Sequence, residues 1–327
     1  MKGLDCYGGA SGGTEFQVRF LPPVFGVEFC VALLGNVAAL WLLATRERSN
    51  WHTGVVFSCN LALSDLLYSL TLPLLVFYYA NDKHWPFGTA ACKAERFLFT
   101  CNLYGSVFFV ACISVTRYVA IVHPFFARSH VRPKLAARVG LLVWVVVAVI
   151  SAPVLRFAGT CQGNGTTCGS GANASSSSSS SSSMECVSYC GRADERSHFA
   201  YSVFLAAFGC LLPSLATLAS YAALIRVVWR NANITALEKR KVAIMVGVVV
   251  ALYAVSFVPY HVLRNYYLYL KKKDQGMDHP EVYKAYQVTK GLVTLNMCLH
   301  PLLYMALIDS VRTLCCRGGE RGGGGGG

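Results

Sequence analysis

Apolar residues in this chain gather in seven runs, at about 24–45, 53–80, 89–122, 135–157, 197–229, 239–270 and 282–309. Each is long enough for a helix to cross the roughly 30 Å hydrocarbon layer of a bilayer. Polar links separate them. RERSNWH, ARSHVRPK and RNANITALEKRK are rich in Lys and Arg relative to acids, while NDKHWPFG, a Ser-rich stretch and KKKDQGMDHPE form the other set. Positive links mark the cytoplasmic side. The pattern therefore predicts an all-α fold, a seven-transmembrane helix bundle with its N-terminus extracellular. Residues 1–23 read as an outer segment and 24–309 as the membrane domain, with a Ser-rich outer-loop insertion around 158–196. A short amphipathic helix is expected after the seventh span, within a cytoplasmic tail at 310–327.

Composition supports a membrane protein. The 327 residues are 14% charged, against about 25% in soluble proteins. A net charge of +13 would suggest nucleic acid in a soluble chain. Here the basic residues sit mostly in short links, so membrane lipid and an anionic ligand are the expected partners and nucleic acid is not. Residues 1–19 are Gly-rich and polar, so the first span is expected to act as the insertion signal. The serine run 175–183 cannot build a core. No internal repeat of the kind that marks many transporters is visible.

Charges inside the spans carry the functional signal. Arg117 interrupts CISVTRYVAIVHP, and Asp65 interrupts NLALSDLL. An ionised side chain at the bilayer centre costs about 2.5–3.5 kcal/mol on insertion scales, which marks both as functional candidates. Pro73, Pro153, Pro213, Pro259 and Pro301 predict kinks. Three more cations fall in outer halves of spans. Arg96 lies four residues beyond Cys92, Arg264 five beyond Pro259 with His261 one turn deeper, and Lys290 eleven before Pro301. Facing one cavity, they repel unless a polyanion joins them; guanidinium forks match phosphate oxygens, and lysine adds a point charge. Tyr68, Tyr78, Phe99, Tyr104 and Tyr267 offer stacking faces nearby. The competing reading is that each cation snorkels to the headgroups. No nucleophile–base spacing and no metal-ligand cluster is visible, so neither an enzyme nor a cofactor is expected.

Asn36 in LLGNVA, Asp65, TRY at 116–118, FVPY at 257–260 and HPLLY at 300–304 appear in order along the chain. Together they resemble the rhodopsin-like G-protein-coupled receptors over nearly its whole length. Thr116 stands where that family has an acid, Phe257 where Trp is usual, and His300 where Asn or Asp is usual. The resemblance implies that Arg117, with Tyr118, Tyr221 and Tyr304 nearby, meets a G protein when span six swings outward, with Phe257, Pro259 and Pro301 as the moving parts. Without an acid at Thr116, a loosely held resting state and measurable basal activity are expected. For Asp65 the expected partners are Asn36 and Asn296, around either a sodium ion or a plain polar network. Retinal is disfavoured, because the Schiff-base position seven residues before Pro301 is Thr294.

ERFLFTCNLYGS at 95–106, SFVPYHVLR at 256–264 and YQVTKGL at 286–292 resemble the purinergic receptors for extracellular nucleotides. IVHPFFARSHVRPK and CLHPLLYM are most similar to an ATP-preferring branch of that family. By resemblance, Arg96, His261, Arg264, Gln287 and Lys290 hold phosphates and Tyr104 lines the pocket. The implied protein is a plasma-membrane receptor for ATP that signals through a heterotrimeric G protein, Gq with phospholipase C and calcium, and Gs with cyclic AMP as a second route. Alternatives are a receptor for a lysophospholipid, carboxylate or nucleotide sugar, and a transporter. The family spacing favours a disulfide from Cys92 to Cys186, with Cys190 as the alternative; Cys6 is left to pair with Cys161 or Cys168, or to remain free. Asn164 and Asn173 head outer glycosylation sequons. Cys315 and Cys316 are palmitoylation candidates.

Overall fold

Backbone inside hydrocarbon must satisfy its own N–H and C=O groups, and the apolar runs do so as helices. The computed structural model describes residues 11–46, 53–162, 168–169, 184–189, 192–232, 234–273 and 279–320. Span one is α1 (Ser11–Arg46), span two α2 (Thr53–Ser69) and α3 (Leu72–Ala80), and span three α4 (Gly88–Val122). The short α5 (Pro124–His130) caps the inner side. Span four is α6 (Pro133–Ser151) and α7 (Val154–Phe157). Span five joins α8 (Arg192–Phe204) to α9 (Leu212–Arg230), and span six joins α10 (Ala236–Leu252) to α11 (Val258–Lys273). Span seven is α12 (Pro280–Glu320), packed along α1 and α11.

Spans one to six are long and apolar enough to cross a membrane. Span seven is more polar because its inward face carries buried Gln287, Thr289, Lys290, Thr294, Asn296 and His300. The stretch expected as a separate amphipathic helix is helical and continues from α12 without a break to Glu320. Side chains past Tyr304, including Cys315 and Cys316, lie outside the described residues, as do Cys6, Asn164, Asn173, Cys190 and the serine run. Two of the shifted boundaries bear on the outer site. Helix α1 begins at Ser11, well before residue 24, and carries Pro22 and Pro23 inside it. Its outer extension is anchored by Gln17, which donates to the Tyr79 hydroxyl (3.4 Å) and accepts from the Tyr283 hydroxyl (3.0 Å). Span six runs on to Lys273, taking Lys271 out of the expected loop.

The prolines shape the spans in three ways. A helical proline lacks its N–H and clashes with the carbonyl four residues back. Before Pro213 and Pro259 the helix widens into π turns, at Leu205–Leu211 and Tyr253–Phe257. There Leu212 N–H reaches Ala207 O and Val258 N–H reaches Tyr253 O, each five residues back. Before Pro73 the helix breaks, and the Ser69 and Thr71 hydroxyls donate to the carbonyls of Leu66 (2.9 Å) and Tyr68 (2.7 Å). At Pro301 the freed carbonyl is that of Met297, and Asn36 Nδ2 donates to it at 2.9 Å. Gly35 permits this approach, since a Cβ there would lie 3.1 Å from Pro301 Cγ.

Outside the membrane, β1 (Gly159–Gln162), β2 (Cys168–Gly169) and β3 (Met184–Val187) form an antiparallel sheet in the order β2-β1-β3. A disulfide joins Cys92 at the outer end of α4 to Cys186 in β3. Trp85 N–H also donates to Met184 O (2.7 Å), so β3 is fixed across the mouth of the bundle from two sides.

The π turn of span five and the ring of Tyr104 fit only because residue 209 is glycine: a Cβ there would lie 2.5 Å from Tyr104 Cδ1 and Cε1. Overpacking of this kind costs about 1–3 kcal/mol. Gly209→Ala is expected to lower the melting temperature of the detergent-solubilised protein, and the double change Gly209→Ala with Tyr104→Leu is expected to recover part of that loss. Equal melting of the single variant and the wild type would refute the packing argument.

Candidate functional site

Three helices deliver cations to one outer cavity of about 130 Å³. Arg96 comes from α4, Arg264 from α11 and Lys290 from α12; Gln287 stands one turn beyond Lys290 on the same helix. Lys83 and Lys271 also line it, against Glu185 as the acid in its wall. A neighbouring cavity of about 40 Å³ shares Arg96, Arg264 and Lys290. The predicted convergence of these three cations is therefore present in the fold.

Arg96, Lys290 and Lys83 are held in place by local partners. Arg96 donates from Nη2 to the Cys186 carbonyl (3.2 Å), which ties it to the disulfide-held strand, and its Nε lies 3.4 Å from Glu95 Oε2. Glu95 is fully buried, and neither of its oxygens accepts a hydrogen bond. The Lys290 ammonium sits among three rings, with centroids of Phe25, Tyr79 and Phe99 at 5.6, 5.8 and 5.7 Å. Such cation–π contacts stabilise a desolvated ammonium. Glu28 of α1 is also buried, and neither of its oxygens accepts a hydrogen bond. At the mouth, Lys83 pairs with Glu185 at 2.9 Å. Asp82 and Lys83 have φ of 49° and 64°, a left-handed turn that folds the link back toward β3.

Other predicted ligands lie elsewhere. Tyr104 and His261 are not in either cavity wall. They form a layer beneath it, ring centroids 5.8 Å apart, with the Tyr104 hydroxyl and both His261 nitrogens unpartnered. Tyr104 is drawn sideways into the notch at Gly209, and His261 lies one turn below Arg264. Of the aromatic residues expected, Tyr78 and Tyr267 line the larger cavity and Phe99 the smaller, while Tyr68 is buried behind them. Glu28, Glu95, Lys83 and Glu185 were missed by the sequence reading. The signal available was an acid within an apolar span, EF at 28–29 and ER at 95–96.

Deeper in the bundle, Asp65 is completely buried. Asn102 Nδ2 donates to its Oδ1 at 2.8 Å, while His300 Nδ1 at 2.8 Å and the Tyr304 hydroxyl at 3.3 Å meet its Oδ2. This corrects the expected partners. Asn36 is spent on Met297 and Ala32 carbonyls, and the Asn296 amide has no hydrogen bond. Spacing alone does not show that Pro301 leaves a carbonyl for Asn36 to cap.

At the inner end, Thr116 donates to the carbonyls of its own helix at Cys112 and Ile113, both at 2.9 Å. It offers Arg117 no charge. Arg117 and Tyr221 are buried, Tyr118 lies edge-on to His123 at 5.8 Å, and Tyr304 is held at Asp65. Phe257 ends the π turn just before Pro259.

The family model described as 7 transmembrane receptor (rhodopsin family) matches residues 35–304. Purinoceptor 11 of Homo sapiens is 45% identical over 319 residues, covering 93% of this chain and 83% of that protein. Purinoceptor 1 of Gallus gallus is 35% identical over 306 residues, covering 91% of this chain and 79% of that protein. The Homo sapiens purinoceptor 1 is 34% identical, with 91% and 77% covered. With its helix order, its disulfide and these relatives along almost its full length, the chain is a membrane receptor rather than an enzyme, and it belongs to the purinoceptors of the rhodopsin family.

Proposed function

We propose that this protein is a plasma-membrane receptor for extracellular nucleotides, ATP first among them, that activates a heterotrimeric G protein. The observation that carries the reading is the convergence of Arg96, Arg264 and Lys290 on one outer cavity. Five cationic side chains line that cavity against one acidic one, an excess matched to a triphosphate. Tyr267 and Tyr286 stack there at 13° and offer a face to a base. Arg96, Arg264, Gln287 and Lys290 are the phosphate ligands; Tyr104 and His261 support them from beneath. Coupling through Gq to phospholipase C and calcium, with Gs and cyclic AMP as a second route, follows the similarity to the ATP-preferring branch.

A ligand shifts a receptor only by binding one arrangement better than the other. Phosphate groups joining α4, α11 and α12 outside favour their approach, and the π turn and Pro259 in span six let its inner half move separately. Tyr118 and Tyr221 then stand with Arg117 at the G-protein face, and Tyr304 joins them on leaving Asp65. Sodium is not needed for any step.

Each charge-assisted hydrogen bond lost to a buried partner costs about 1.5–3 kcal/mol, or about 10–100-fold in affinity. Arg264→Ala and Lys290→Gln are each expected to raise the ATP concentration for half-maximal calcium release by at least tenfold at equal surface expression. Unchanged potency in both would remove the nucleotide assignment. A lysophospholipid or carboxylate that activates where ATP fails would replace it.

Glu95 competes with phosphate for Arg96. Glu95→Gln is expected to increase ATP potency about threefold or more through the stronger local field, measured as calcium dose–response. A loss of potency would show instead that Glu95 is needed to place the guanidinium.

Because Thr116 gives Arg117 no ion pair, ligand-free signalling is expected, and Thr116→Asp is expected to reduce it. Inositol phosphate accumulation with extracellular nucleotide enzymatically removed measures this; an unchanged basal level counts against the role of Thr116.

A further inference from the structure

The resemblance to rhodopsin-like receptors implies a sodium ion at Asp65, and the residues around that carboxylate do not fit one. Hard cations are bound by oxygen lone pairs. Here both Asp65 oxygens face hydrogens: the Asn102 amide at 2.8 Å on Oδ1, and on Oδ2 His300 Nδ1 at 2.8 Å with the Tyr304 hydroxyl at 3.3 Å. A carboxylate oxygen and a ring nitrogen at that separation share a hydrogen, whichever atom owns it. His300 stands where the family pattern has Asn or Asp, which would bring an oxygen ligand; histidine brings an N–H direction instead. The imidazole is also bulky, and it is buried with Asp65 at 2% and 0% side-chain exposure.

The side-chain oxygens of Asn36 and Asn296 are buried with no donor. What is missing is a free carboxylate oxygen at the centre. We propose that His300 has closed the sodium site of this receptor, so that the hydrogen bonds of Asn102, His300 and Tyr304 to Asp65 do the work of the ion in joining spans two, three and seven. The receptor is then indifferent to sodium, unlike a relative with an oxygen ligand at this position. The inference stands on the inner site alone and is independent of which ligand binds outside.

The test uses the full-length receptor purified in detergent, without nucleotide. Its melting temperature is measured in about 150 mM sodium chloride and in choline chloride at the same ionic strength. An ion that binds only the folded state raises the melting temperature by mass action. The wild type is expected to melt within about 1 °C in the two salts, and His300→Asp and His300→Asn to gain a sodium-specific rise of about 2 °C or more. A sodium-specific rise in the wild type that Asp65→Asn abolishes overturns the proposal. So does indifference to sodium in both His300 variants when each still melts cooperatively. If neither variant folds, the wild-type comparison decides alone.

Discussion

A carboxylate in the middle of an apolar bundle has to find hydrogen-bond donors, and in this protein Asp65 finds them on two other spans. Asn102 comes from span three, and His300 and Tyr304 from span seven. In a medium without water, leaving such a group unpaired costs several kcal/mol, so the three spans are held in one register by a single side chain. The donors are themselves buried at that level. Much of the remaining inner geometry follows. Tyr304 is turned toward Asp65, and Asn36 is free to cap the carbonyl that Pro301 releases.

Spans three and seven also carry the outer site. Asn102 lies six residues from Arg96, and His300 ten from Lys290, so at 1.5 Å per residue about 9 and 15 Å of helix separate the two polar centres. A ligand that draws Arg96 and Lys290 together therefore acts on the two helices whose deeper segments grip Asp65. Span six enters from the other side, with Arg264 above and a π turn below it. A π turn shifts easily because its hydrogen bonds are already offset by one residue.

Three of the outer cations, Arg96, Lys290 and Lys83, have a local answer to their charge. Arg96 has Glu95 and a carbonyl fixed by the disulfide, Lys290 has three rings, and Lys83 has Glu185. The charge excess left at the cavity makes it electrostatically favourable for an anion. Removing like charges from water without such partners would have been prohibitive.

Seven spans, their orientation and the meeting of Arg96, Arg264 and Lys290 were legible in the sequence, because bilayer thickness and the cost of buried charge act on composition and spacing directly. The identity of partners was not. Asn36 and Asn296 were matched to Asp65 on residue type, whereas Asn102 and His300 reach it through the rotation and tilt of α4 and α12. Tyr104 looked like a pocket residue until the notch at Gly209 in span five took its ring. The start of α1 at Ser11 was hidden by Pro22 and Pro23, since the contacts of Gln17 with Tyr79 and Tyr283 come from residues more than sixty positions away. Sequence thus determined which segments cross the membrane and which charges must be compensated there, because those are one-dimensional sums of transfer free energy. Tertiary structure alone decided which hydrogen meets which oxygen, because that depends on helix rotations set by packing among all seven spans.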